Sequence, residues 1–286
     1  MYVKVLGTAQ DAGIPHSNCF CPNCNLARRD KRYQRLAASL SIHFEESNKW
    51  FLIDPSPDFK TQLDRIQKET KWRLMMDGIF ITHAHIGHYT GLMYLGKEAV
   101  STNQMPVAVG ENMREFLSSH YPWKQLIDLK NIKLETLKFK QDYQLTDGAG
   151  ITPLLIPHRN EFSETFGFII YGRQKRLLYI PDIDRWEQWN VNLGEVMRDI
   201  DYCFIDGTFY SEKELASIGR SYQDIPHPLI SDSMEIFKPY KDTCQIYFTH
   251  FNHTNPVIGG EEKYRREIEK NGFFILEEGH EFNLSD

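Results

Sequence analysis

Short apolar runs alternate with amphipathic segments along most of this chain. Runs of apolar and β-branched residues with the length of buried strands occupy 2–6, 50–53, 78–82, 106–109, 151–156, 166–171, 176–180, 202–205 and 245–249. Helical spacing or good helix formers predict helices over 25–40, 58–68, 111–119, 186–198 and 260–271. Because strands and helices alternate in both halves of the chain, the pattern predicts an α/β protein with a large sheet, in one or two layers.

Six of the apolar runs lead directly into an acidic residue or a histidine. These residues are Asp54, His83, His158, Asp182, Asp206 and His250. One such residue alone would more often cap or terminate a strand, but core packing does not explain six of them. Side chains at the ends of neighbouring strands can converge just outside a sheet. The pattern therefore predicts one polar rim that is rich in metal-binding groups.

The densest of these strand ends is His-Ala-His-Ile-Gly-His over residues 83–88. It places three histidines, His83, His85 and His88, within six residues of the chain. Neutral imidazole is a good ligand for zinc, iron and manganese-like ions. A polar loop that happens to be rich in histidine is the alternative. Further His and Asp residues at later strand ends favour the metal site.

The cysteines are unevenly placed, and three of the five lie close together at Cys19, Cys21 and Cys24. In a cytosolic protein, closely spaced thiols bind metal more often than they form disulfides. A C-x-C-x-x-C segment can wrap around one tetrahedral zinc, but a fourth ligand must then come from elsewhere in the chain. Free thiols or a redox pair are the alternative. Cys203 and Cys244 lie inside apolar runs, which predicts buried small side chains.

Composition limits the remaining classes of protein. The chain has 286 residues, 41% hydrophobic and 25% charged, which is ordinary for a globular protein. A net charge of -6 provides no general attraction to nucleic acid or to an anionic membrane. No apolar run is long enough to span a bilayer, and the first residues do not resemble a signal peptide. We therefore expect a cytoplasmic protein with a small-molecule substrate, and a homodimer is left open.

Six residues, in chain order, match a known metal-ligand signature: His83, His85, His88, His158, Asp182 and His250. The signature is H-x-H-x-D-H followed by His, Asp and His at later strand ends, and on this match the chain resembles the metallo-β-lactamase superfamily from its first strand to about residue 256. The resemblance implies a four-layered αβ/βα sandwich in a single domain over 1–286, with metals at one edge of the sheets. It also implies that Asp54 supports the ligand loop without binding metal.

Two families within this superfamily also carry an early cysteine cluster: the pyrroloquinoline quinone biosynthesis protein B family and the cyclic phosphodiesterases of phosphonate breakdown. The chain resembles both over the segment leading into Cys19 and over 249–256. In the phosphodiesterases, a histidine three positions after the last active-site histidine completes the cysteine site. The resemblance thus implies one structural zinc held by Cys19, Cys21, Cys24 and His253. This zinc would tie an N-terminal loop, about 16–26, to the last strand and so contribute to folding.

Gly87 departs from the signature, which has Asp at this position. Glycine has no side chain to bind metal, so the second site keeps only His88, Asp182 and His250. This site is expected to hold its metal with extra water, to hold it weakly, or to stay empty. On this view, replacing Gly87 by Asp would raise the affinity of the second site for its metal. The first site is intact and suits zinc, with Mn²⁺ and Fe²⁺ as the alternatives.

These features predict a metallo-hydrolase that acts on a small ester, amide or cyclic phosphodiester through a metal-activated water. Asp182 would orient that water, and His227 or Asp184 would protonate the leaving group. His227 could equally be an ordinary loop histidine, and His16 is a weaker candidate for the wall of the pocket. Because one fold carries many chemistries, two alternatives stand. One is an iron-dependent, oxygenase-like protein of quinone-cofactor biosynthesis, and the other is a non-catalytic binding or carrier protein.

Overall fold

The computed structural model describes residues 1–69 and 75–285, which contain two seven-stranded sheets. The first sheet contains, in spatial order, β14 (Glu281–Asn283), β1 (Tyr2–Gly7), β2 (Ser39–Phe44), β3 (Lys49–Ile53), β4 (Gly78–Phe80), β5 (Met105–Val109) and β6 (Ile132–Thr136). The second contains β13 (Phe274–Ile275), β12 (Gln245–Thr249), β11 (Tyr202–Asp206), β10 (Arg176–Ile180), β9 (Thr165–Tyr171), β8 (Ala149–Ile156) and β7 (Tyr143–Thr146).

The two sheets face each other across one apolar core. Side chains of the first sheet, such as Val3, Ile42 and Phe80, belong to the same buried cluster as Phe168 and Phe204 of the second. The rings of Phe80 and Phe168 meet edge to face, with centroids 6.1 Å apart. Strands that are covered on both faces lose the alternation of apolar and polar residues, which explains why all six residues of β2 are buried.

Helices cover the outer face of each sheet. They are α1 (Pro22–Arg29), α2 (Phe59–Glu69), α3 (Ile86–Tyr89), α4 (Glu111–Ser119), α5 (Trp123–Asp128), α6 (Leu193–Met197), α7 (Glu212–Ser217), α8 (Ile230–Phe237) and α9 (Glu262–Lys270). Phe59 of α2 and Met113 of α4 pack on the first sheet, whereas Phe237 of α8 and Ile268 of α9 pack on the second. The layers run helix, sheet, sheet, helix, so the predicted αβ/βα sandwich is confirmed.

The helix predicted over 25–40 is wrong. The α1 helix begins after Cys21, whose sulfur accepts a hydrogen bond from the Cys24 amide, and it ends at Arg29. Beyond it, β2 pairs with both β1 and β3 and carries Leu40 and Ile42 into the core between the sheets. Tertiary pairing thus overrides a local composition that favours helix. The predicted helix over 186–198 is reduced to one 3₁₀ turn and the short α6.

Strand direction brings the polar strand ends to one edge of the sandwich. The β3 and β4 strands are parallel, as are β10, β11 and β12. The β8 strand pairs antiparallel with β9, and β9 pairs antiparallel with β10, so β8 runs in the same direction as β10. At this edge the amide of Phe166 donates to the carbonyl of Thr82, 2.9 Å away, and joins the two sheets. No helix within the described ranges is long and apolar enough to cross a lipid bilayer.

Candidate metal centre

The first group of converging ligands consists of His83, His85 and His158. One ring nitrogen of each lies within 4.8 Å of the other two. His83 follows β4, His158 follows β8, and His85 caps the start of α3. Rigid element ends therefore hold all three rings. Three imidazoles facing an open position match the ligand set of a catalytic divalent metal.

Asp182, which follows β10, links this group to further buried histidines. Its Oδ2 lies 3.2 Å from His88 Nε2 and 3.3 Å from His250 Nε2, and its Oδ1 lies 3.6 Å from His158 Nε2. Burial would raise the pKa of Asp182, but the neighbouring rings of His250 and His88 outweigh burial and hold that pKa well below its usual range. A charged carboxylate therefore lies between the two halves of the cluster.

The donor atoms of this cluster fit a divalent metal. Within 1–69 and 75–285, three buried ligand atoms make no hydrogen bond of normal geometry, although two of them are close to each other: His83 Nε2, Asp182 Oδ2 and His250 Nε2. Buried polar atoms are ordinarily paired, so three unpaired donor atoms in one cluster indicate a missing common partner. Burial also lowers the pKa of His83 well below its ordinary value. This shift keeps the ring neutral, which is the form that binds metal.

Carboxylates contact the Nδ1 atoms of two of the histidines, His88 and His158. Asp54 Oδ2 lies 2.8 Å from His88 Nδ1, and Asp54 Oδ1 accepts a 2.8 Å hydrogen bond from the Thr82 amide. Asp184 Oδ1 lies 2.9 Å from His158 Nδ1. A carboxylate on the far nitrogen fixes both the orientation and the tautomer of a ligand histidine. Asp54 and Asp184 therefore support ligands, and neither belongs to a group of candidate ligands among the described residues.

Two residues of the centre adopt backbone conformations that are unusual for side chains other than glycine. Asp54 has φ of 59° and His250 has φ of 60°. Each lies directly after a strand, β3 or β12, so the positive φ turns the chain sharply at the edge of its sheet. Such conformations are unfavourable by about 1–3 kcal/mol each and cluster at functional sites. Local sequence preference is thus overridden where the side chains must point into the centre.

His227 lies over the same centre. Its Nδ1 is 2.7 Å from Asp206 Oδ2, and Asp206 also accepts hydrogen bonds from the amides of Thr208 and Ile183. The Thr208 hydroxyl lies 3.0 Å from His250 Nδ1. Burial lowers the pKa of His227, but Asp206 outweighs burial and raises that pKa above its usual value. These contacts occupy Nδ1 and leave Nε2 as the nitrogen available to a ligand or substrate.

A cavity of about 550 Å³ opens over these ligands. Its wall includes two exposed apolar side chains, Ile86 and Phe162, and two arginines, Arg159 and Arg220. Glu161 accepts a 2.9 Å hydrogen bond from Arg159 Nε. The volume suits a small molecule. Its surroundings combine apolar surface with positive charge beside the metal ligands.

The cysteine cluster forms a second, separate candidate site. Ligand atoms of Cys19, Cys21, Cys24 and His253 all lie within 4.8 Å of one another. His253 Nδ1 is 3.3 Å from Cys19 Sγ and 3.5 Å from Cys21 Sγ. Three sulfurs and one imidazole are a ligand set typical of closed structural zinc sites. Burial raises the pKa of the Cys24 thiol to about 12, so a nearby cation is needed for this sulfur to bind as thiolate.

Further contacts tie α1 to the segment after β12. Asn23 Nδ2 donates to the carbonyls of His253 and Asn255, at 3.1 and 2.8 Å. His16 stacks beside the ring of His253, with centroids 4.7 Å apart, and its amide donates to Cys24 Sγ. His16 therefore supports the cysteine cluster, and its suggested place in the pocket wall is wrong, because the described wall of the cavity does not include it.

All ten candidate metal ligands predicted from the sequence fall into these two clusters. Asp206 was identified only as a strand end, and its contact with His227 is a feature of the structure. Arg159 and Thr208 lie within two residues of the predicted strand ends His158 and Asp206, but their own residue types carried no sequence signal. Arg220 comes to the cavity from a separate loop. The gain in metal affinity predicted for Gly87→Asp assumed room for the new side chain, and the structure shows a steric conflict at this position. A Cβ atom at residue 87 would lie 2.5 Å from Asp11 Cα, closer than real Cβ contacts.

Comparisons with known proteins agree with this architecture. The family model of the beta-lactamase superfamily domain matches residues 49–251. The coenzyme PQQ synthesis protein B of Methylobacillus flagellatus is 25% identical over 313 residues, covering 99% of this chain and 100% of that protein. The protein of the same name from Nitrosococcus oceani is 26% identical over 317 residues, covering 99% and 100%.

Two solved structures share the fold over nearly the whole chain. Zn²⁺-bound PqqB from Methylobacterium extorquens superposes with a TM-score of 0.82 at 21% identity, covering 99% of this chain and 100% of that one. A diphosphatase of the PhnP family superposes with a TM-score of 0.72 at 21% identity, covering 98% and 96%. The zinc-bound neighbour and the ligand clusters together support divalent metal binding.

Proposed function

Since this chain belongs to the beta-lactamase superfamily, we propose that it is a metal-dependent hydrolase that cleaves a small, negatively charged ester with a metal-activated water. The observation that carries the proposal is the position of Asp182. This charged carboxylate lies between the triad of His83, His85 and His158 and the pair of His88 and His250. Ligands on both sides of one bridging carboxylate support a centre for two metals.

Metal bound at these ligands would supply an activated water and a positive charge that polarises a substrate oxygen. The chain's own groups then determine orientation. Asp184 holds His158, and Asp54 holds His88, so the rings remain aimed at the centre. The unfavourable backbone of His250 is retained because Thr208 and the strand end before it fix the ring.

His227 is our candidate for the proton donor to the leaving group. Asp206 accepts from Nδ1, which leaves Nε2 to carry the proton toward the cavity. As the ester bond breaks, the proton on Nε2 would pass to the leaving oxygen, and the ring would then regain a proton from water. Asp206 would keep the ring in place throughout. The buried position of the pair supports this role, since neither side chain can reorient without losing its partner.

The cavity wall favours an anionic substrate with an apolar portion. Arg159, which is paired with Glu161, and Arg220 line the cavity and would attract a charged group, and Phe162 and Ile86 offer apolar contact. A phosphodiester or a similar small ester matches these features. The structural likeness to a diphosphatase of the PhnP family agrees with this class of substrate.

The test compares two phosphodiesters that differ in leaving group. Wild-type protein loaded with zinc or manganese should hydrolyse both bis(p-nitrophenyl) phosphate and a diester with an alkyl leaving group. His227→Gln should lose about 100-fold or more on the alkyl diester and far less on the p-nitrophenyl diester, because p-nitrophenolate leaves without a proton. A wild-type protein that is inactive on esters, amides and phosphodiesters with every metal tested would overturn the proposal.

A second candidate is an oxidative activity, and one observation favours it. The curated relatives that match over the full length of this chain are coenzyme PQQ synthesis proteins B, and three imidazoles also bind iron. If the protein is purified with iron and consumes dioxygen on a quinone-precursor substrate, while zinc- and manganese-loaded protein does not hydrolyse esters, the oxidative function replaces the hydrolytic one.

A further inference from the structure

Gly87 lies against Asp11, a residue of the loop between β1 and α1. A Cβ built on Gly87 would lie 2.5 Å from Asp11 Cα and 2.6 Å from Asp11 Oδ1. Only glycine leaves room for this approach. The second distance is close to that between Cβ and a carboxylate oxygen within one aspartate side chain. One carboxylate oxygen of Asp11 thus lies about as far from this Cβ position as the oxygen of an aspartate at position 87 would lie.

The backbone holds Asp11 in this place. On one side, the Gln10 amide donates to the Phe251 carbonyl at 2.9 Å, and the Phe251 amide donates to Thr8 at 2.8 Å, so the loop is bonded to the residue after His250. On the other side, the Gly13 amide donates to the Gln10 carbonyl at 3.0 Å and closes a turn. Asp11 itself has φ of 33°. An unfavourable backbone conformation next to a ligand cluster is typical of a functional position.

The Asp11 carboxylate faces the centre without a partner of its own. It lines the same cavity as His85, Asp182 and His227, and its charge acts on both of these histidines. Among residues 1–69 and 75–285, no group donates a hydrogen bond to the Asp11 carboxylate, and no cation forms an ion pair with it. Asp206 differs, because its two oxygens accept hydrogen bonds from two backbone amides and it also contacts His227.

We propose that Asp11 supplies, from the N-terminal loop, the negative charge at the second metal position that Gly87 does not supply. The proposal deepens the proposed function and depends on a metal bound near His88, Asp182 and His250. The Asp11 carboxylate lies outside the groups whose donor atoms are all within 4.8 Å, so in this proposal it acts through its charge without binding the metal directly. In this proposal, Gly87 leaves room for the Asp11 backbone, and Asp11 supplies the negative charge that Gly87 lacks.

Zinc titration into metal-free protein, with a chromophoric competitor, tests this role without an activity assay. Wild type should bind one zinc at the cysteines and two at the histidines. In Asp11→Asn the weakest of these should lose about 10- to 100-fold in affinity, with the others unchanged. Asp11→Gly should show the same loss although glycine tolerates the positive φ, which separates the missing charge from misfolding. Glu115→Gln removes an exposed charge on α4, outside the described cavity wall, and should leave all three affinities within about twofold.

Two results would overturn the proposal, and they have different meanings. If Asp11→Asn binds both histidine-site metals as tightly as wild type, or if Glu115→Gln weakens the second metal equally, Asp11 has no specific role and the two-metal hydrolase proposal stands. If the wild type itself binds only one metal at the histidines, there is no second position, and the two-metal centre fails together with the role of Asp11.

Discussion

The cysteine cluster and the histidine centre are both candidate metal sites, but their surroundings differ. The cysteine cluster brings together four donors that do not line the cavity over the histidines, and its neighbours are backbone groups that join α1 to the segment after β12. The histidine centre lies under a cavity of about 550 Å³ and is supported by carboxylates on the far nitrogens of its rings. The first arrangement is typical of structural sites that close around a metal, and the second is typical of catalytic sites that keep one position open.

This contrast indicates what each region does for the molecule. A closed site contributes to stability because its ligands are brought together only when the chain folds. An open site with unpaired donors contributes chemistry and is held in place by the rest of the fold. The loop between β1 and α1 connects the two, since it carries Asp11 to the histidine centre and Cys19 to the cysteine cluster.

The largest effect on stability should come from Cys21→Ser. Loss of this sulfur removes a candidate zinc ligand, whereas the serine hydroxyl can still accept from the Cys24 amide. We therefore expect one zinc fewer and a loss of about 4 kcal/mol or more in the free energy of unfolding. Metal analysis and denaturant unfolding measure the two quantities. Cys244→Ala, outside both clusters, should keep the full metal content. Unchanged zinc and stability in Cys21→Ser would remove the basis for calling this site structural.

His83→Ala should affect turnover strongly and stability only slightly, whereas Cys21→Ser should mainly affect stability. Turnover should fall by about a thousandfold or more, because a ligand of the first metal is lost. The free energy of unfolding of the metal-free protein should change by less than about 2 kcal/mol, since the lost ring carries an unpaired buried nitrogen. Parallel kinetic and unfolding measurements test the contrast. A variant that unfolds as readily as Cys21→Ser would show that the histidine centre is also a structural element.

The smallest effect should come from Gly87→Ala, which probes the link between the two regions. The added Cβ would press on the Asp11 backbone, and overpacking of this kind is unfavourable by about 1–3 kcal/mol. We expect a loss of stability in this range and weaker binding of the second metal. Gly260→Ala is the matched control, since its Cβ would meet only Leu26 Cδ2 at 3.6 Å. If both variants behave alike, the close approach of Asp11 does not matter for the centre.

The strand ends show how much of the centre could be predicted. His83, His158, Asp182 and His250 each follow a short apolar run, and the structure gathers all four at one edge. Such runs are visible in the sequence because burial on both faces demands continuous apolar residues. The 25–40 segment could not be assigned in the same way. Its helix-forming residues suit α1, but β2 is a strand because two neighbouring strands pair with it.

The sequence by itself determined the ligand types, their order and the α/β class, because these depend on local burial patterns and on the chemistry of side chains. Only the tertiary structure decided that Asp11 approaches Gly87, that Asp206 holds His227, and that two arginines line the cavity. These contacts join residues far apart in the chain. No local pattern encodes such contacts, since they arise when the two sheets pack and their connecting loops meet at a common edge.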